Sequence, residues 1–232
     1  MNFHVAVIPD GNRRWAKMHG LPVIAGHKKG GEVLGQLVEK IIELKIDCFT
    51  FWGASMTNLT KRPSEEINFL DKLFADQFRA LAKSQIIHQH QIRVRVLGFW
   101  SSFLSEEAQQ NIKEAVKTTA MHKRGMLNFL IAYDGIEEML QVFQMVADEA
   151  KKDSSFIVSR EMIKRQLLTK DLPPVDLLIR TGGEPHLSAG FMMWDIADAQ
   201  MVFLKKLWPE FTPEDLEEAV ADFQGRERRF GA

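Results

Sequence analysis

The chain has 232 residues, and its 30 lysines and arginines against 31 aspartates and glutamates give a formal net charge of −1. Its 45% hydrophobic and 26% charged residues are typical of a globular protein and exclude a disordered chain. The charge balance disfavours a general nucleic-acid binder, and no apolar run approaches the roughly 18–20 residues that cross a bilayer. The single cysteine, Cys48, excludes an intramolecular disulfide. Because the first residues also lack the order of a signal peptide, we expect a cytoplasmic protein.

Short β-branched segments alternate with longer segments of helical periodicity along the chain, as expected for a parallel sheet with crossover helices. Strands are predicted at residues 4–8, 47–52, 92–97, 127–131, 175–179 and 200–203. Helices are predicted at 31–44, 65–84, 106–122, 136–151 and 161–168, and a last one begins near Thr212, which supplies an N-cap. No linker interrupts this pattern. Residues 1–232 are therefore predicted to form one α/β domain with a mostly parallel, six-stranded sheet flanked by helices.

Polar or glycine-rich loops follow four of these strands, at residues 9–15, 53–58, 132–135 and 180–184. Ligands of parallel sheets bind beyond the carboxyl ends of the strands, so we expect a site at this edge. Asp10, Gly11 and Asn12 alone indicate only a turn. The backbone amides that follow, together with Arg13 and Arg14, are suited to phosphate oxygens. An acid among so many donors is suited to Mg²⁺, which binds through one or two carboxylates and substrate phosphates.

The loop at 180–184, Arg-Thr-Gly-Gly-Glu, brings a second arginine and flexible amides to a strand end. Its glycines are also explained by backbone conformation alone. Two anion-binding loops at one edge nevertheless indicate an enzyme with two phosphate-bearing substrates. Neither a P-loop nor a dinucleotide-binding motif is present. A simple phosphate-binding module would leave the second loop and the basic residues near the C-terminus unexplained.

Five motifs occur in order along the chain: HVAVIPDGNRRWAK, GHKKG, TNLTKRPSEE, DLLIRTGGEPHLSAGFMMW and RERRFG. From His4 to Gly231 they resemble the cis-prenyltransferases, the family of undecaprenyl diphosphate synthase. The resemblance implies a homodimeric α/β enzyme that extends an allylic diphosphate with isopentenyl diphosphate. It further implies Mg²⁺, release of diphosphate, and an apolar tunnel for the growing chain.

The resemblance also implies roles for particular residues. Asp10 is the expected catalytic and magnesium-binding acid, and Asn58 is expected to help remove the proton. The other expected substrate-binding residues lie in four segments: Gly11, Asn12, Arg13, Arg14, Trp15 and His27 for the allylic diphosphate; Ser55, Thr57 and either Lys61 or Arg62 in the catalytic loop; Arg180, His186 and Ser188 for isopentenyl diphosphate; and Arg229 and Gly231, which complete the partner subunit's site.

The chain departs from the family pattern at several of these positions. Val23 and His186 stand where the family has arginines, Gln200 stands where it has a glutamate that assists the metal, and Leu59 replaces a tryptophan. These departures leave the allylic substrate open. One alternative is an enzyme that joins two allylic diphosphates into a branched or cyclic product. A non-catalytic subunit is disfavoured, because such a subunit is expected to lose Asp10.

Product length is a steric question at residues 129–131, where Phe129, Leu130 and Ile131 stand in place of the family's small tunnel residues. If these bulky side chains face the tunnel, they favour a short or medium product; if they face the other side of the sheet, they are uninformative. Peripheral membrane contact is compatible with a poorly soluble product, although no amphipathic segment requires it.

Overall fold

The computed structural model describes residues 3–153 and 155–226. Its centre is a six-stranded sheet in which every strand pair is parallel. The strands are β1 (His4–Ile8), β2 (Cys48–Ala54), β3 (Ile92–Leu97), β4 (Gly125–Ile131), β5 (Leu177–Arg180) and β6 (Gln200–Phe203). Their spatial order is β3-β4-β2-β1-β5-β6. The prediction of a single α/β domain with a six-stranded parallel sheet is confirmed.

Helices cover the sheet and connect its strands. They are α1 (Asn12–Met18), α2 (Val23–Glu43), α3 (Met56–Lys61), α4 (Ser64–Ala82), α5 (Gln85–Gln89), α6 (Glu106–Thr118), α7 (Gly135–Lys152), α8 (Arg160–Gln166) and α9 (Pro213–Gly225). The N-cap predicted for the last helix is confirmed, since the Thr212 hydroxyl accepts from the Asp215 backbone N–H at 3.4 Å. Among the described residues, no helix is both long and apolar enough to cross a membrane.

Helix α2 differs most from its prediction, because it begins at Val23 and not at residue 31. The glycines of its first two turns serve the packing of α1 on α2. A β-carbon added at Gly26 would lie 2.1 Å from the Asn12 carbonyl oxygen, and one at Gly30 would lie 2.4 Å from Asn12 Oδ1. These glycines therefore allow close contact between two helices that both carry site residues.

The core has two layers, one on each face of the sheet, because side chains alternate along each strand. Val5 and Val7 belong to the larger layer, which α2, α4, α6 and α9 cover, whereas Ala6 and Ile8 belong to the smaller one. The same alternation corrects the expectation for residues 129–131. Phe129 and Ile131 face the larger layer, but Leu130 faces the smaller one, so the three side chains do not form one wall.

Candidate active site

Asp10 lies directly after β1, at the carboxyl end of the sheet. Its backbone N–H donates to Thr181 Oγ1 at 2.9 Å, and the Thr181 hydroxyl donates back to the Asp10 carbonyl at 2.8 Å. The Trp208 backbone N–H donates to the same carbonyl at 2.9 Å. Both backbone groups of Asp10 are thus held by other segments, which fixes the direction of its side chain. The roles of Thr181 and Trp208 in the site were not predicted from the sequence, because both residue types are common in protein cores.

Two arginines from different segments contact the carboxylate of Asp10. Arg14 Nη2 lies 3.0 Å from Oδ1, and Arg180 Nη2 lies 3.1 Å from Oδ2. The Arg180 side chain is only 4% exposed, and its other terminal nitrogen donates to Ser188 Oγ at 2.9 Å and to the His186 carbonyl at 2.5 Å. Its Nε is buried without a hydrogen-bond partner among the described residues. A fixed, buried guanidinium beside a cavity is suited to bind an anion.

Gly182 makes this arrangement possible. Its φ of +92° lies in the region that favours glycine, and an added β-carbon would lie 2.4 Å from Arg14 Nη2 and 3.1 Å from the Asp10 side chain. Arg14 Nη1 also donates to the Gly182 carbonyl at 2.6 Å. The glycine-rich loop that was predicted from its sequence to bind an anion therefore also positions the arginine of the first loop.

A buried cluster of charged and polar side chains lies on the other side of the site. Glu66 Oε1 accepts from His27 Nε2 at 2.8 Å and from Arg62 Nη1 at 2.9 Å, and Glu66 Oε2 lies 3.7 Å from Arg13 Nε. Burial lowers the pKa of His27, against the opposing effect of its hydrogen bond to Glu66. Burial also lowers the pKa of Arg62, whereas the Glu66 charge raises it. Of the two basic residues left open by the sequence, Arg62 is the one that reaches this cluster.

Glu66 was missed in the sequence, where it stands among the exposed acids that begin α4. The available signal was the opposite charge of Arg62 and Glu66 four residues apart, although Arg62 is extended and precedes the Pro63 N-cap of α4, so the two residues do not share one helix. Ser55 and Asn58 were predicted, and they are held by each other at the start of α3. The Asn58 backbone N–H donates to Ser55 Oγ at 3.0 Å, and the Ser55 N–H donates to Asn58 Oδ1 at 3.3 Å.

Two cavities meet at Asp10. The first cavity, of about 230 Å³, is lined by polar residues at the ends of strands β1, β2 and β5, and it continues along apolar side chains of α4. The second cavity, of about 760 Å³, is more open and more basic. Polar residues of the first cavity are Asp10, Asn12, His27, Ser55, Asn58, Arg62, Gln77, Arg180 and Ser188. Polar residues of the second cavity are Asp10, Asn12, Arg13, Arg14, Lys17, His27 and Arg62, with the backbone of Gly11.

Some predicted residues do not line either cavity. The Trp15 ring packs on His19 with a centroid distance of 4.4 Å, and the Thr57 side chain is exposed. His186 contacts residues of the site, since its carbonyl accepts from Arg180 and its Nε2 lies 3.4 Å from Ser188 Oγ. Their substrate-binding roles stay predictions. Arg229 and Gly231 lie outside the described residues.

Two of the family departures are now located. Val23 lines the second cavity and gives it an apolar side chain where an arginine was expected. Gln200 of β6 pairs with Leu177, the first residue of β5. Arg180, which contacts Asp10, lies three residues after Leu177 on β5. At about 3.3 Å per residue, Gln200 is therefore roughly 10 Å too far along the strand to assist Asp10 of its own chain.

The comparisons with known proteins agree with this geometry. The family model for undecaprenyl diphosphate synthase matches residues 8–231, so the chain belongs to this family of prenyltransferases. An isoprenyl transferase of Halalkalibacterium halodurans is 39% identical, over 98% of this chain and 88% of the relative. A ditrans,polycis-undecaprenyl-diphosphate synthase of Vibrio vulnificus, specific for (2E,6E)-farnesyl diphosphate, is 38% identical, over 98% of this chain and 90% of the relative.

A solved structure extends the likeness to the arrangement of the whole fold. The crystal structure of lavandulyl diphosphate synthase from Lavandula x intermedia, in complex with dimethylallyl diphosphate, matches with a TM-score of 0.89 and 29% identity. The match covers 99% of this chain and 98% of that one. The family expected from the five sequence motifs is thereby confirmed.

Proposed function

We propose that the protein is a cis-prenyl diphosphate synthase that condenses isopentenyl diphosphate with an allylic diphosphate to give a short or medium product. The observation that carries the proposal is the position of Asp10 between two cavities that both contain arginine. A guanidinium on each side supplies two separate anion sites, while the carboxylate lies where two diphosphates would approach each other. A single phosphate site would not explain both cavities.

Two buried polar atoms near Asp10 support a ligand at this place. Asn12 Oδ1 and Arg180 Nε have no hydrogen-bond partner among the described residues, although both are buried. Buried polar groups in native proteins are nearly always paired, and an unpaired one needs an explanation. A bound substrate with its hydration water would provide the missing partners.

In the proposed reaction, Arg13, Arg14 and His27 bind the allylic diphosphate in the second cavity, and Arg180 and Ser188 bind isopentenyl diphosphate in the first. The allylic C1–O bond breaks, and its electron pair leaves with the diphosphate. The terminal alkene carbon of isopentenyl diphosphate bonds to C1, which leaves a positive charge on the other alkene carbon. The methylene beside that second carbon loses a proton to restore a double bond. The arginines stabilise the negative charge that develops on the leaving group.

Asn58 and Ser55 are the residues proposed to assist the loss of the proton. Both line the first cavity, where the methylene of isopentenyl diphosphate would lie, and their reciprocal hydrogen bonds fix the loop. An amide is too weak a base to hold the proton. Asn58 is therefore proposed to orient the methylene, while the departing diphosphate, which is the stronger base, accepts the proton.

The donor set at Asp10 fits Mg²⁺. Asp10 is a single partly exposed carboxylate, and the described residues contain no group of three or more metal-ligating side chains. Mg²⁺ commonly takes one or two protein carboxylates and fills its other positions with water and substrate phosphates. Asp10 would hold the ion, which would neutralise diphosphate charge when bound.

We propose that the enzyme is a homodimer that associates through α7. Ile136, Leu140 and Phe143 follow helical spacing on one side of α7 and are 52%, 54% and 55% exposed. Met201 and Phe203 of the edge strand β6 are also partly exposed.

Leu140→Asp is expected to convert a dimer to a monomer in sedimentation velocity, whereas Gln141→Asp, which adds the same charge on another side of α7, leaves the dimer intact. A monomeric wild type contradicts the proposal.

The reaction itself is tested by a product assay with Mg²⁺. Dimethylallyl, geranyl and farnesyl diphosphate are each supplied with and without labelled isopentenyl diphosphate, and products are identified by mass. The proposal predicts elongation in steps of one isoprene unit that requires isopentenyl diphosphate. Condensation without isopentenyl diphosphate, or no turnover with any primer, would contradict it.

A further inference from the structure

The first cavity does not end at the polar site, because apolar residues of α2 and α4 continue its wall away from Asp10. A third cavity, of about 380 Å³, lies further along the same two helices. The first and third cavities share three lining residues, which are Gly31, Leu34 and Gln77. These three residues therefore form a wall between the two cavities.

Gln77 is the polar member of this shared wall. It lies on α4 directly opposite Gly31 of α2, and a β-carbon added at Gly31 would lie only 2.2 Å from Gln77 Nε2. No hydrogen bond joins the Gln77 side chain to another described residue, so packing alone holds the amide over the glycine. The absence of a side chain at Gly31 is what leaves room for it.

The third cavity beyond this wall is lined almost entirely by hydrocarbon. Its remaining residues are Gly35, Val38, Ala80, Leu81, Ser84, Ile86, Ile87, Leu127 and Phe129. Such a lining is suited to an apolar ligand and offers few partners to a polar one. An isoprenoid tail that grew through the first cavity would meet the Gln77 amide before it reached this space.

We propose that Gln77, packed on Gly31, is a specificity-determining residue that ends chain growth at the boundary between the first and third cavities. The inference rests on the proposed elongation reaction. The side chain occupies the path between the two cavities, so its bulk obstructs a growing tail. Growth stops when the next isoprene unit would have to displace this side chain.

The test compares the product length of wild type with those of three single variants and one combined variant, using farnesyl diphosphate, isopentenyl diphosphate and Mg²⁺. Gln77→Ala removes the obstacle, and its main product is expected to be longer by at least one isoprene unit. Gln77→Leu keeps a side chain of similar size and is expected to give the wild-type length. Thermal unfolding of each variant confirms that it is folded, and Gln77→Ser replaces Gln77→Ala should that variant fail to fold.

A third variant tests whether the longer product enters the third cavity. Gly35 lies one turn after Gly31 and lines only the third cavity of the two, and nothing lies within 4 Å of a β-carbon added there. Gly35→Leu is expected to leave the wild-type product unchanged but to shorten the product of Gln77→Ala when the two changes are combined.

The outcomes separate this inference from the proposed function. If wild type does not elongate any primer, the proposed function fails. If wild type elongates but Gln77→Ala gives the same length, the role of Gln77 is wrong while the synthase activity stands. A longer product from Gln77→Leu would contradict the proposal that the bulk of this side chain stops growth. If the combined variant makes a product as long as that of Gln77→Ala, the growing chain does not pass through the third cavity.

Discussion

Two histidines are buried among the described residues, His4 toward the amino end of the sheet and His27 toward the carboxyl end, and they have different kinds of partner. His4 Nε2 lies 2.7 Å from Thr50 Oγ1, and His4 Nδ1 lies 2.9 Å from the Pro173 carbonyl. His27 instead contacts the carboxylate of Glu66, which also binds Arg62. Neutral groups satisfy both nitrogens of the first histidine, whereas the second belongs to a charged cluster beside two cavities.

The difference shows how the same side chain serves stability at one end and binding at the other. Burial lowers the pKa of His4 to about 4, so the ring is neutral and acts as a fixed polar link between strands. Burial also lowers the pKa of His27, but Glu66 opposes that effect, and both cavities reach the ring. Changes at the carboxyl end should therefore alter activity, and changes at the amino end should alter stability.

The largest effect is expected from Asp10→Asn. The substitution keeps the size of the side chain but removes the charge that pairs with Arg14 and Arg180 and that would hold Mg²⁺. We expect kcat/KM for isopentenyl diphosphate to fall by roughly 10³-fold, equivalent to about 4 kcal/mol. Steady-state kinetics measures the loss, and circular dichroism verifies the fold. Activity within about threefold of wild type would remove Asp10 from the proposed reaction.

The second prediction concerns pH and the amino end of the sheet. His4 has a folded pKa of about 4 and an ordinary value of 6.5 when unfolded. Between these values the unfolded chain binds the extra proton, so the stabilisation is complete above pH 6.5 and is lost as the pH falls toward 4. The loss amounts to about 3 kcal/mol.

Urea unfolding of wild type and of His4→Gln, at pH 7 and at pH 4, isolates this contribution from other titrating groups. The difference in unfolding free energy between the two proteins is expected to narrow by about 3 kcal/mol at the lower pH. A difference that stays constant would mean that His4 titrates normally. Activity per folded molecule at pH 7 should be similar in both proteins, in contrast to changes at Asp10.

The smallest effect is expected from Glu66→Gln, a change in a positioning residue at the carboxyl end. Loss of the carboxylate leaves Arg62 without its partner and removes the charged acceptor that orients His27. The KM for the allylic diphosphate should rise roughly tenfold, about 1.4 kcal/mol, with little change in kcat. Glu65→Gln is the matched control, because Glu65 is the exposed neighbour on the same helix. An equal rise in KM for both variants would mean that the loss of one negative charge, and not the position of Glu66, causes the effect.

Much of the fold could be predicted because alternation and β-branched composition identify buried strands directly. Strands β1, β3 and β6 begin and end where they were expected. The start of α2 could not be predicted in this way. Its glycines have low helix propensity, and only the three-dimensional structure shows that Asn12 lies against Gly26 and Gly30.

The site, too, could be predicted from the sequence only in part. Asp10, Arg14 and Arg180 carried recognisable chemistry at strand ends, and the structure brings them together. Glu66 and Thr181 were missed because their roles depend on contacts with residues distant in sequence: Thr181 is 171 positions from Asp10, and Glu66 is 39 positions from His27. Sequence motifs identify groups that could bind a ligand, whereas the groups that position them emerge only from packing.

The two cavities on either side of Asp10 are proposed to hold two diphosphates at once. Isothermal titration tests this proposal most directly, with Mg²⁺ present and a non-reactive thio analogue of the allylic diphosphate. Isopentenyl diphosphate is titrated into the protein before and after saturation with the analogue. We expect one isopentenyl diphosphate per chain to bind to the saturated protein. Competition between the two ligands for a single site would contradict it.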